Sequence, residues 1–189
     1  MKLTTILLNV LISLATAAPS PILIEKRFPA GAITPIYNHR WQNNKWDPAT
    51  DFRGNATWAP SDSRGFPTST ISTFSIPPAL VNQKFELGFY SPGGYPPVQA
   101  LQLWNNTIVP SSASAIPKDS SNGRDRHLGT FTAEREGDAQ EIVGNPVGWR
   151  SVTFGREGRY AFSAVGIWVQ NPTSLGWDTR TYGLYLKRV

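Results

Sequence analysis

Four carboxylates stand within eight residues at Glu134, Glu136, Asp138 and Glu141, with Arg135 among them and His127 a short way upstream. Paired carboxylates hydrolyse glycosides when held roughly 5 to 9.5 Å apart, and Glu with His and Arg can cleave RNA by proton transfer. A secreted hydrolase using Glu134, Glu136, His127 and Arg135 is therefore one reading. Against it, the group falls at a strand end and turn, where charged side chains are ordinarily solvated. With His39 and His127 as the only histidines, a Ser-His-Asp triad would need one of them, and no Gly-x-Ser-x-Gly elbow is present. Each reads more readily as a half-exposed surface imidazole than as a general base, and two are too few for a three-His zinc site. Cysteine is absent, which removes thiol catalysis and thiolate metal sites. The stretch 119–125 (DSSNGRD) only faintly resembles a calcium loop, since it contains Arg124 and ends without a bidentate Glu. The sequence thus predicts no metal and no cofactor, and weighs against an enzyme.

Binding chemistry has more to work with. Trp41, Trp46 and Trp58 are the large side chains of a stretch, residues 28–67, rich in Asn, Pro and Gly. Left exposed, such rings stack on sugars or other flat apolar faces; packed down, each buries on the order of 150–250 Å². Asn55-Ala56-Thr57 and Asn105-Asn106-Thr107 are N-glycosylation sequons, whereas Asn171-Pro172-Thr173 is disqualified by its proline.

The elements that must position these groups are strands. Residues 69–90, STISTFSIPPALVNQKFELGFY, place Phe74 and Ile76 two apart, then Phe85, Leu87 and Phe89 two apart, with Pro77 and Pro78 ending the first run. Each half has the period of a half-buried strand. Together they predict a strand, a tight connection and a second strand, the seed of one antiparallel sheet. Further strands are expected at 98–104, 128–133, 149–154 and 181–187, with Trp149 on the face opposite Val152 and Phe154. The stretch 159–170 is apolar on both faces, as a central strand should be, and Gly166 within it suggests a bulge or a close crossing. Residues 28–67 read as a loop-dominated arm with one or two short strands, 137–146 and 171–179 as loops, and 111–126 as a long surface loop, mobile at its tip. Seven or eight short strands with turns between them predict an all-β, antiparallel sandwich with a loop-rich N-terminal arm.

The chain ends bear on location. Residues 1–17 have Lys2 at the start, an apolar run from Ile6 to Leu14 and small residues beyond it, which is the pattern of a secretory signal. That run is too short to span a bilayer. Residues 18–27 (APSPILIEKR) end in Lys26 and Arg27 and read as a propeptide, leaving 28–189 as a single domain. Residues 1–27 hold three of the 18 basic and one of the 13 acidic side chains, so the remainder carries a net charge of +3. So mild a charge, with no basic run interleaved with aromatics, predicts neither a nucleic acid nor a membrane as primary partner.

A signal, a short propeptide ending in Lys-Arg, the run STISTFSIPPALVNQKFELGFY and a Tyr-rich final strand together resemble the small secreted fungal proteins grouped with the "But-two" C-terminal domain. The resemblance covers residues 71–189. It implies a secreted or wall-associated β-sandwich and lends no catalytic residue. The sequence as a whole predicts a secreted, N-glycosylated, non-enzymatic β-sandwich, extracellular or cell-wall associated, with a host-directed effector as one version. Its loops would bind a cell-wall glycan or an extracellular protein.

Overall fold

Phe74, Ile76, Phe85, Leu87 and Phe89, the alternating residues of the proline-interrupted run, are at most 1% exposed in a computed structural model of the chain. The structure describes residues 28–49, 51–57, 68–92, 100–119, 121–133, 135–142, 146–167 and 174–189. The signal and propeptide readings, Lys26, Arg27, Trp58 and Glu134 lie outside them.

In chain order the strands are β1 (Tyr37–Gln42), β2 (Lys45–Pro48), β3 (Arg53–Thr57), β4 (Ser69–Ile76), β5 (Lys84–Pro92), β6 (Ala100–Asn106) and β7 (Arg124–Thr132). They continue with β8 (Glu136–Asp138), β9 (Gln140–Glu141), β10 (Val152–Thr153), β11 (Gly158–Gly166), β12 (Ser174–Asp178) and β13 (Gly183–Arg188). All pairings are antiparallel. One sheet runs β2-β1-β4-β11-β6-β7-β9, a second runs β10-β5-β13 with β8 also on β5, and β3 pairs with β12 in a separate ribbon. The fold is the all-β antiparallel sandwich that the alternation predicts.

The run that opens the core does not form one sheet. β4 pairs with β1 and β11, whereas β5 pairs with β13, β10 and β8. The connection between them, with a 3-10 turn at Pro78–Leu80, is an arch that carries the chain from one layer to the other. Pro77 and Pro78 donate no backbone hydrogen bond, so the ladder cannot continue through them. Asn82 follows the turn in the left-handed region (φ 59) and donates its N–H to the Phe154 carbonyl at 2.9 Å. Phe74 and Ile76 thereby face Phe85, Leu87 and Phe89 across one core, joined by Leu101, Leu103, Phe162, Leu184 and Leu186.

Other elements also differ from the sequence reading. Residues 28–67 hold three strands, because Asn43 and Asn44 (φ 54 and 58) make the two-residue turn that closes β1 on β2. Residues 137–146 and 171–179 contribute β8, β9 and β12. Gly148–Ser151 is a 3-10 turn; it brings Trp149 onto the same core as Val152 and Phe154 instead of the opposite face. Gly166 is a close crossing: a Cβ there would stand 2.7 Å from the Thr57 backbone.

β11 is central and covered on both sides. Phe162 and Ala164 face the main core, while Ala161 joins Trp41, Trp46 and Ile71 in a second cluster on the outer face. The segment 107–123 lies over that cluster and is tied down by aromatic donors. Tyr37 Oη donates to the Pro110 carbonyl (2.5 Å), and Trp46 Nε1 to the Ser121 carbonyl (2.9 Å). The His39 ring bonds the Ala115 carbonyl through Nε2 at 2.8 Å. The segment read as a mobile surface loop is thus the outer cover of the large sheet.

Candidate functional site

Among the described residues, the groups that suggested hydrolysis are spread over different surfaces. His127 sits on the outer face of the large sheet, its ring tilted against Trp104 with centroids 5.0 Å apart, its Nε2 within 3.0 Å of the Gly129 carbonyl and 3.2 Å of Thr130 Oγ1. Glu136 and Asp138 belong to β8, on the small sheet, where they accept from Tyr182 Oη (3.2 Å) and Tyr185 Oη (2.8 Å). Arg135, Glu136 and Asp138 line a polar concavity of about 530 Å³ with Thr132 and Gln140; His127 is not among its described lining residues. Glu141 accepts from Trp149 Nε1 at 3.0 Å and pairs with Arg150. The Trp149 bond first, then Arg150, holds its carboxyl below the usual range, opposite to what a general acid at neutral pH requires. His39 is fully buried instead of half-exposed, and burial pushes its pKa down.

Trp41 and Trp46, expected to offer a stacking surface if exposed, face each other across the β1–β2 hairpin and are 9% and 5% exposed. They seal the outer face of the sheet under residues 107–123, with the Arg124 guanidinium 5.9 Å from a Trp41 ring centroid. Neither is a stacking platform for sugars. Both sequon side chains reach the surface. Asn105 Nδ2 donates to Asp125 Oδ2 at an exposed position (3.3 Å), and Asn55 lines a shallow open concavity beside Gly176.

A more apolar concavity lies elsewhere. β2 ends at Pro48, and the last backbone bond to β1 among the described residues beyond it is Ala49 N–H donating to the Asn38 carbonyl at 3.2 Å. The sheet edge so uncovered forms one side of a groove of about 420 Å³. Phe28, Pro35, Ile36, Ala49, Phe52 and Ala113 supply its apolar lining, and Thr34, Tyr37, Asn38, Thr179 and Arg180 its polar groups. Ile36 and Phe52 are 49% and 50% exposed, large apolar side chains left open to water.

Phe52 is held there against its backbone preference. Its φ is 58, a genuine outlier for an aromatic residue. Two bonds fix it: its N–H donates to the Ala49 carbonyl (3.3 Å), and its carbonyl accepts from Thr179 N–H (2.8 Å). The Arg180 guanidinium stands 4.8 Å from the Phe52 ring centroid, and Arg180 is itself anchored by Asp178, Nη2 to Oδ2 at 2.5 Å and Nε to Oδ1 at 2.9 Å. Hydrogen bonds from Arg180 hold the Asp178 carboxyl below its ordinary range. Held by that ion pair, Arg180 lines the groove beside Phe52. No family model matches the chain, and no curated protein does.

Sequence reasoning passed over Phe28, Ile36, Phe52 and Arg180. They come from separate aperiodic stretches and have no shared spacing. The only trace was that Ile36 and Phe52 are lone apolar residues with polar or turn-forming neighbours.

Proposed function

We propose that this chain is a secreted, N-glycosylated binding module acting outside the cell or at the cell wall, and that the groove beside Phe52 takes an apolar segment of an extracellular protein. The observation that carries the reading is a half-exposed Phe in a strained backbone conformation, packed under an Arg, at the mouth of an apolar concavity. Strain of this kind costs about 1–3 kcal/mol and persists where the surroundings enforce it, typically at ligand sites. The groove volume falls within the roughly 300–1,000 Å³ of ordinary ligand sites. The lining favours a protein segment over a glycan. The half-exposed side chains of Ile36 and Phe52 suit a bulky apolar side chain better than a sugar ring, and the indoles of Trp41 and Trp46 are buried. A ligand with a bulky apolar side chain beside a carboxylate would meet both the walls and Arg180.

The test is selection of a displayed peptide library on residues 28–189, followed by calorimetry of the enriched peptides. Peptides with an apolar residue next to an acidic one are expected, binding at least about tenfold more weakly to Phe52→Asp and Ile36→Asp, a loss of about 1.4 kcal/mol. Enrichment that is equal on Phe52→Asp, or binding of wall polysaccharide without peptide, would overturn the assignment.

A further inference from the structure

Among the described residues, Ile36, Phe52 and Ile116 are three of the five large apolar side chains left open to water, and all three stand at or beside the groove. Ile36 and Phe52 line it. Ile116, 64% exposed, follows the groove residue Ala113 by three positions, a separation of at most about 11 Å along an extended chain. The chain is held on both sides of Ala113. The Ala115 carbonyl is bonded by the His39 ring at 2.8 Å, the Pro110 carbonyl accepts from Tyr37 Oη at 2.5 Å, and Pro117 follows Ile116. Single exposed apolar residues are ordinary; here an anchored apolar knob adjoins an apolar hole. Charges flank the two in the same way. Asp51 and Arg180, both exposed, border Phe52, and Lys118 and Asp119, also exposed, follow Ile116.

Resting on the binding reading above, we propose that the groove takes Ile116 of a second copy of this chain, the two copies exchanging knobs about a two-fold axis. A two-fold interface is self-complementary: each copy supplies the same knob and the same groove, and each contact occurs twice. A knob this close to its own copy's groove lets both contacts form across one axis. Ile116 supplies the bulky apolar side chain that Ile36 and Phe52 accept. Charge favours a copy over a foreign segment of a single sign. The groove rim has one anion and one cation, and so has the knob, so Lys118 and Asp119 meet Asp51 and Arg180 as opposites, whereas a uniformly acidic or basic partner would face a like charge. Rim pairs of this kind set orientation more than affinity. Beyond residue 27 the net charge is only +3, so two copies repel each other weakly. Three apolar side chains per copy make a small, concentration-dependent contact of the transient class, well short of an obligate dimer.

Sedimentation equilibrium of residues 28–189, which hold every described element, reads the association directly. Loss of one buried Ile contact is worth at least about tenfold. Ile116→Asp removes both knobs of a dimer and Phe52→Asp both grooves, so each should weaken self-association at least about a hundredfold. An equimolar mixture of the two variants restores one knob in one groove and should associate about tenfold more tightly than either variant alone, a gain that no loss of folding mimics. The chain has no cysteine, so Ile116→Cys and Ile36→Cys can be mixed under oxidising conditions. The mixed disulfide dimer should exceed both unmixed ones, whereas Ile36→Cys with Val147→Cys, exposed but outside the groove lining, should show no excess. A native chain that stays monomeric, while peptides selected on it bind and Phe52→Asp still abolishes that binding, would overturn the second copy as occupant and leave the groove as a ligand site. Self-association undiminished in Ile116→Asp, or a mixture no tighter than its components, would overturn it equally. If Phe52→Asp changes neither self-association nor peptide binding, the groove reading itself fails.

Discussion

Acid should loosen this fold through His39 above the range in which Asp51, Asp178 and Glu141 act. The ring is fully buried between Tyr37 and Trp46, with centroids 5.7 and 6.2 Å away. Its Nε2 bonds the Ala115 carbonyl, and Nδ1 has no partner among the described residues. The neutral ring with its proton on Nε2 satisfies that geometry. Protonating Nδ1 would create a buried donor without an acceptor, at a cost of about 1–3 kcal/mol. Burial lowers the folded-state pKa below 6.5, and the Ala115 carbonyl and Asp47 only partly oppose it. The sign follows from linkage. Above 6.5 neither state binds the proton and full stability is present; below it the unfolded chain is protonated while the folded chain is not. Stability then falls by at most about 1.4 kcal/mol per pH unit until the folded pKa is reached. Asp51, Asp178 and Glu141, with depressed folded values, act lower, in the ordinary carboxylate range and below it. Between pH 6.5 and 5, comparison with a variant that lacks the ring isolates His39. Urea denaturation of residues 28–189 across that interval, beside His39→Gln, whose amide can still donate toward Ala115, should show the native protein losing about 1 kcal/mol more than the variant. A variant with the same pH slope, or a native protein whose stability is flat, would refute the account.

Gly88→Ala would put a Cβ 2.3 Å from Tyr185 Cζ; it should cost about 1–3 kcal/mol in urea denaturation, and become neutral or stabilising in a Tyr185→Ala background. Phe52→Gly should leave stability within about 1 kcal/mol of the native value, since relief of the left-handed φ offsets the lost Arg180 contact, while calorimetry shows binding at the groove gone. Passed through a eukaryotic secretory pathway, the chain should lose one glycan mass with Asn105→Gln and one with Asn55→Gln, read by intact mass; unchanged mass in either case removes that sequon.

Alternation at Phe74–Ile76 and Phe85–Leu87–Phe89 made the core legible, because period 2 reports which side chains face inward. It does not report which strand lies alongside. β4 and β5 have the same pattern whether they pair in one sheet or face each other across two, and the proline pair that ended the first strand was equally compatible with a hairpin or an arch. Asn43-Asn44 was readable in principle, since Asn tolerates positive φ and a two-residue turn needs it twice. Phe52 was not readable, because its φ is imposed by Thr179, more than a hundred residues away in the chain.

The burial of Trp41 and Trp46 has the same root. A strand apolar on both faces, as β11 is around Ala161 and Phe162, requires a cover on each side. The small sheet covers one; on the other the β1–β2 hairpin supplies Trp41 and Trp46, and residues 107–123 close over them through Tyr37, His39 and Trp46. Rings of that size are what a seven-stranded sheet needs on a face with no second sheet to meet. Exposed apolar surface is then left where the cover stops, at the end of β2, and that is where Ile36, Phe52 and Arg180 converge.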